Sequence, residues 1–257
     1  GSADGERLKA KLLKRLPGIM AVADEPMSRH TSFRVGGAAA LFVTPGSVKE
    51  LVSAMSFCAK SGVHYVVIGR GSNILVSDDG FKGVVICTTG VDRIGLVKDD
   101  DPSATSGKVY ISAGCGATLA AVANYARDTG LTGLEFAAGI PGTVGGGMVM
   151  NAGAYGGELG AVTVSVATAD ESGSISIKNA EDMCFGYRRS IIKDSGEVVT
   201  EAVFAYNGIG QLLVTSVSFR DYPCIQSLIL IFSLHFVVIN FIVDILYAVL
   251  NPEIQLS

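Results

Sequence analysis

Between residues 7 and 206 the apolar positions switch repeatedly between the 3.6-residue period of a helix and the short runs of strands. Arg7 to Leu16 reads as a short amphipathic helix and Ala39 to Val43 as a strand. Ser47 to Ser61 predicts a helix, with Val48, Leu51, Val52, Met55 and Cys58 on one face and Ser47 as its N-cap. A buried strand follows at Tyr65 to Ile68; Leu75-Val76 and Val84 to Ile86 predict further strands around an Asp78-Asp79-Gly80 turn. Val109 to Ala113 is strand-like, and Leu119 to Thr129 is an Ala-rich helix that Gly130 closes. Ala161 to Ala169 and Ser174 to Ile177 predict a hairpin about Glu171-Ser172-Gly173, and Val198 to Tyr206 a last strand. The pattern is that of an α+β chain in at least two lobes.

After Gly208 the pattern changes. Only Arg220, Asp221, Asp244 and Glu253 are charged from there to Ser257, where the chain-wide rate of 17% would give about eight. The uncharged run from Tyr222 to Val243 is long enough to cross a bilayer. Gln226, Ser227, Ser233, His235 and Asn240 interrupt it, no basic cluster flanks it, and it reads as fragments, so no membrane partner is expected.

Composition narrows the class. At 257 residues, 49% hydrophobic and 17% charged, the chain is too apolar to be disordered. A net charge of −4 without a basic block speaks against nucleic acid. Five scattered cysteines and three histidines have neither disulfide nor metal-ligand spacing, which suits a reduced cytoplasm, and the opening residues carry no signal-peptide pattern.

Glycine is the outlier, at 32 residues. One cluster is Gly69-Arg70-Gly71-Ser72-Asn73, directly after a strand: glycine backbones form a nest for an anion, with Ser72 and Asn73 as donors. A plain strand-turn-strand explains the same residues. The second runs through Gly139-Ile140-Pro141-Gly142-Thr143-Val144-Gly145-Gly146 to Asn151-Ala152-Gly153-Ala154-Tyr155-Gly156, with eleven glycines from Gly130 to Gly160. So much conformational freedom surrendered on folding points to a flat ligand lying against main chain. A third element, Gly186-Tyr187-Arg188-Arg189-Ser190, offers planar guanidinium donors for a carboxylate, or simply a solvated face.

In this order, and with Arg29-His30-Thr31-Ser32-Phe33-Arg34-Val35-Gly36-Gly37 ahead of them, these stretches resemble the UDP-N-acetylenolpyruvoylglucosamine reductase family of flavoenzymes in peptidoglycan precursor synthesis. The resemblance covers roughly residues 29 to 205. It implies an N-terminal lead-in (1–28), two lobes of a vanillyl-alcohol-oxidase-type FAD-binding region (29–90 and 91–206), and a smaller α+β substrate domain (207–257), in a cytoplasmic monomer. It implies that Gly69, Arg70, Gly71, Ser72 and Asn73 cradle the FAD pyrophosphate. Gly139, Ile140, Pro141, Gly142, Thr143, Gly145 and Gly146 would then lie along the flavin. Tyr187 and Arg188 fall at the substrate, UDP-N-acetylglucosamine enolpyruvate, which NADPH-derived hydride would reduce to UDP-N-acetylmuramate. Arg188 and Glu253 (in Pro252-Glu253) would stabilise the enolate-like charge and a serine would protonate C2.

The serine is where the pattern departs. Ser216 and Ser218 in Thr215-Ser216-Val217-Ser218-Phe219-Arg220 are both one position off, with Ser218 preferred. His235–Asn240, Asp244–Leu246 and Pro252-Glu253 resemble successive landmarks standing too close together, which suggests an incomplete substrate domain. Two other classes fit parts of the chain. One is a different flavin oxidoreductase acting on an alcohol or hydroxy acid, with His30 or Cys115 as covalent anchor; the other is a non-catalytic nucleotide-binding or membrane-attached module.

Overall fold

The structure, a computed structural model, describes residues 2–97, 108–208, 217 and 220–250. It divides into two compact units, Gly1–Tyr206 and Asn207–Ser257. In the first, helix α1 (Ser2–Arg15) leads into strand β1 (Met20–Pro26), then β2 (Ala38–Thr44), helix α2 (Val48–Lys60), β3 (Tyr65–Ile68) and β4 (Phe81–Cys87). These strands form one sheet in the order β1-β2-β4-β3. The β2, β4 and β3 pairings are parallel, and β1 lies antiparallel on the edge.

Central β4 shows why a nearly unbroken apolar run is needed. Val84 and Ile86 enter the main core, whereas Val85 and Cys87 pack on the other face with Met27, Phe42 and Ile68. Alternate residues thus feed two cores, as a sheet covered on both sides requires. Ser47 caps α2 as expected, its hydroxyl accepting from Glu50 N–H at 3.2 Å, and Glu50 in return accepts from Gly46 N–H at 2.8 Å. Leu51, Met55, Phe57 and Cys58 on its inner face are buried, on the order of 1.5–3 kcal/mol for each large side chain.

The second sheet takes β5 (Ile94–Val97), β6 (Lys108–Gly114), β10 (Thr163–Ala169), β11 (Ile175–Asn179) and β12 (Val198–Gly208) in the order β11-β10-β12-β6-β5, with β7 (Leu131–Thr132) beside β12. Helix α3 (Leu119–Asp128) is capped by Thr118 and followed by Gly130 at φ +73°. The β10–β11 hairpin turns where expected. There the Asp170 carboxylate accepts from the Ser172 hydroxyl and from Ser172 and Ser174 N–H, which holds its pKa below the ordinary range.

Two expectations need correction. Leu75-Val76 is not a strand: Leu75 points to solvent while Ile74 and Val76 pack on the smaller core, so the apolar pair tethers a loop. The glycine stretch after Thr143 is not all loop, because Val144–Met150 closes into a short helix, α4, followed by the small β8 (Gly153–Ala154) and β9 (Gly157–Glu158) ribbon. Among the described residues after Gly208 no strand occurs. Instead Tyr222–Leu250 forms one 29-residue helix, α5, and the supposed landmarks His235–Asn240 and Asp244–Leu246 lie on that single helix. Pro223 does not interrupt it, since a first-turn proline removes only an N–H that has no intrahelical partner.

Candidate functional site

The first unit carries two adjoining clefts, of about 510 and 840 Å³, which share Gly69, Arg70, Ser72, Ile140, Pro141 and Gly142 along their common wall. Two sequence-distant glycine loops therefore meet in one trough. The smaller cleft is completed by Arg29, His30, Thr31 and Ser32, of which only His30 had a role proposed from sequence, as a covalent anchor, and by Gly139. The larger takes in Gly71, Asn73, Thr143, Gly146, the Asn151–Glu158 stretch, Tyr187 and Arg188. Gly145 lines neither; a Cβ there would press on Cys115, and its N–H donates to Cys115 O at 2.8 Å.

The glycines of the trough fall into two kinds. A Cβ at Gly69 would overlap the Thr143 hydroxyl, and one at Gly71, held at φ +63°, would overlap the His30 carbonyl oxygen. Ser32 N–H donates to Gly71 O at 3.1 Å, stitching the two segments together. These glycines are required by the chain's own close approach. At Gly139 a Cβ would meet nothing within 4 Å, and at Gly146 only Thr143 Oγ1 at 3.9 Å. There the missing side chain leaves room for something else.

Thr143 adds an independent sign. Its residue is 1% exposed, and its hydroxyl is a buried side-chain group without a hydrogen-bond partner among the described residues. An orphaned hydroxyl of this kind costs on the order of 1–3 kcal/mol unless a ligand or water meets it. Its place is fixed by its neighbours: Leu119 N–H donates to Gly142 O at 3.1 Å and Val144 N–H to Ala117 O at 2.8 Å.

Tyr187 and Arg188 form the tip of a tight turn whose base is closed by Gly186 N–H to Arg189 O at 3.0 Å and Arg189 N–H to Gly186 O at 3.1 Å. Tyr187 is 94% exposed, and Arg188, at φ +52°, donates from Nη2 to Asn73 Oδ1 at 3.5 Å. Arg188 thus reaches across to the first glycine loop. The turn hangs from a residue with no assigned role, Asn151. This C-cap of α4 sits at φ +41° and is buried; its Nδ2 donates to Gly186 O at 3.2 Å and its Oδ1 accepts from Gly160 N–H at 2.8 Å. An Asn directly after an apolar helix end is a recognisable left-handed cap, so half of its role was open to sequence reading.

At the smaller cleft, His30 stacks on Phe42 with centroids 3.9 Å apart and lies 2.9 Å from Glu25 through Nε2. Cys115 is fully buried and burial pushes its thiol up to about 12, so it offers no thiolate for a covalent attachment near neutral pH. Ser216, Ser218 and Glu253 lie outside the described residues.

Residues 39–177 match the FAD binding domain family, and residues 195–256 match the inner membrane component of binding-protein-dependent transport systems. UDP-N-acetylenolpyruvoylglucosamine reductase of Clostridium botulinum strain Hall is 41% identical over 70% of this chain and 56% of its own length. That of Clostridium novyi is 42% identical over 70% and 55%. The chain therefore spans a little over half the length of these relatives. Among solved structures, UDP-N-acetylenolpyruvylglucosamine reductase from Thermus caldophilus superposes with a TM-score of 0.58 at 26% identity, over 80% of this chain and 68% of that one. A vanillyl-alcohol-oxidase-type flavoprotein of Myceliophthora thermophila shares the fold at TM-score 0.52 and 15% identity, over 66% and 32%.

Proposed function

From the premise that the chain belongs to the FAD-binding domain family, we propose that it carries the flavin site of a UDP-N-acetylenolpyruvoylglucosamine reductase. The reaction is NADPH-dependent reduction of UDP-N-acetylglucosamine enolpyruvate to UDP-N-acetylmuramate, in the cytoplasm, by a monomer. The observation that carries this reading is the convergence of both glycine loops and Arg188 on one trough, in a chain about 41% identical to reductases of that name.

The residues suit FAD on two counts, the unpartnered Thr143 hydroxyl and the open space over Gly139 and Gly146. Gly69, Arg70, Gly71, Ser72 and Asn73 would hold the pyrophosphate from the shared wall, while Gly139, Ile140, Pro141, Gly142, Thr143 and Gly146 would line the flavin. Gly145 supports this loop from behind through Cys115. When bound, FAD would supply the relay of hydride from NADPH to C3 of the enolpyruvyl group.

The chain's own part lies in binding and charge. Arg188, on an exposed tip beside Tyr187, would receive the substrate carboxylate and stabilise negative charge growing toward it, a role for a planar fork of donors. Asn73 and Asn151 fix where that fork stands. Glu253 as proton-sharing partner and Ser218 as proton donor to C2 stay with the proposal on their sequence patterns alone.

The purified chain is expected to show flavin absorbance near ~450 nm released by denaturation. Its bleaching by NADPH and recovery on adding the enolpyruvyl sugar nucleotide would complete the support. A colourless protein that gains no colour with added FAD overturns the site. Colour retained on the precipitated chain would favour covalent attachment, against the burial of Cys115.

A further inference from the structure

We propose that α5 is a bilayer-spanning anchor, which makes this a membrane-attached flavoprotein with its N-terminal side in the cytoplasm. This is the opposite of the expectation from sequence that no membrane is involved. The run Tyr222–Val243 is 22 residues long with a mean hydropathy of 2.2, and 6% of it is buried. At 1.5 Å per residue it extends about 33 Å, against a hydrocarbon core of about 30 Å.

Its low burial decides between two explanations of so apolar a helix, since a soluble core helix of this composition would be enclosed. From Ile229 to Val243 twelve large apolar side chains are exposed. With successive residues about 100° apart, Ile229, Leu230, Ile231, Phe232, Leu234 and Ile239 already point to all sides. A partner protein's groove covers one stripe; an apolar surface on every side calls for an apolar solvent. Two of the polar side chains within the run turn on their own backbone: Ser227 Oγ donates to Pro223 O at 2.8 Å, and His235 Nδ1 lies 3.0 Å from Ile231 O. That is how polar groups are tolerated where no water reaches.

The ends of the span fit water-facing borders. Asp221 caps the first turn by accepting from Cys224 N–H at 3.2 Å, Tyr222 stands at the entry, and Asp244 directly follows Val243, where the 22-residue span ends. Arg220 immediately precedes, and no Lys or Arg occurs from Asp221 to Ser257, so the basic side is the N-terminal one. The match of residues 195–256 to an inner membrane component points the same way.

The test uses the full chain expressed in bacteria, with membranes washed at high pH and floated through a sucrose gradient. It is repeated with the purified chain and vesicles of phosphatidylethanolamine and phosphatidylglycerol. Wild type is expected in the floating fraction, resistant to the wash. The double variant Ile231→Arg/Leu234→Arg should lower the membrane-to-soluble ratio by about tenfold or more, because two charges then sit mid-span. Ile231→Leu/Leu234→Ile should float like wild type. A wild-type chain that stays in the supernatant, as monomer or as self-associated oligomer, or that sediments below the vesicles as aggregate, overturns the anchor. So does an arginine variant that floats unchanged. Flavin absorbance is read in every fraction, so loss of the FAD site registers separately from loss of membrane attachment.

Discussion

Gly71 and Gly139 look alike in the sequence and differ in what they do. Gly71 combines φ +63° with a backbone oxygen where a Cβ would stand, so Gly71→Ala should destabilise the fold by about 1–3 kcal/mol. For a unit of this size that is a fall of several degrees in the unfolding midpoint, measurable by calorimetry of the apoprotein. Gly139→Ala meets no neighbour, and its midpoint should stay within about a degree or two, while FAD affinity measured by fluorescence quenching falls about tenfold or more. Unchanged affinity in Gly139→Ala would remove Gly139 from the cofactor wall. The glycine-rich character was legible from sequence. Which glycines serve packing and which leave space was not, because the deciding neighbours, His30 and Thr143, are 41 and 74 residues away from Gly71 and Gly69 in the chain.

Two buried thiols give a pH dependence at the same scale. Burial raises Cys58 and Cys115 from 9.0 to about 12 each, so the folded state favours their neutral forms. Their contribution to stability is whole below pH 9 and declines as pH rises from there toward 12. The unfolding midpoint should therefore fall across that alkaline window, and a thiol reagent at neutral pH should label exposed Cys184 while leaving Cys58 and Cys115 unlabelled until the chain unfolds.

Among the elements, helices and strands with a clean period were readable: the Ser47 cap and the β10–β11 hairpin stand where local chemistry puts them, and the Tyr65–Ile68 strand forms as expected but on the sheet edge, with only Ile68 buried. Edge strand β1 and β5 carry weak alternation and are defined by their partners, and α4 hides in a glycine run that propensity alone would leave as loop. The turn carrying Arg188 depends on that hidden helix through Asn151. If Arg188 acts only on charge that appears as hydride reaches the substrate, Arg188→Ala should keep FAD content and NADPH bleaching. Reoxidation by the enolpyruvyl substrate should then slow ~10²–10³-fold, with Arg188→Lys recovering little. Asn151→Gly keeps the left-handed backbone but loses both side-chain bonds, so it should give a milder defect of the same kind. Stopped-flow traces of the two half-reactions separate the cases, and equal slowing of both by either variant would make the turn a fold element.

At the scale of the whole molecule, the resemblance carried by the two glycine loops continues after Gly208 as short patterns that lie on one helix, α5. Those patterns, His235–Asn240 and Asp244–Leu246, sit inside a run whose plainest property is the loss of charge. Periodicity does not mark that helix, because a helix apolar on all sides has none to show. The division of labour that remains is testable. Among the described residues, both buried apolar clusters of the first unit draw on residues up to Phe204, and β12 completes its sheet by Gly208. That core is expected to stand without the residues after Gly208. A chain ending at Gly208 should stay in solution without detergent, unfold in one cooperative transition and bind FAD with the affinity of the full chain. It should be bleached by NADPH at the full-chain rate, because the residues assigned to the cofactor all precede Gly208. Its membrane-to-soluble ratio should match that of the arginine double variant. Loss of FAD binding or of cooperative unfolding would show that the first unit relies on the second. Membrane flotation of the shortened chain would place the lipid contact on the flavin unit instead of on α5.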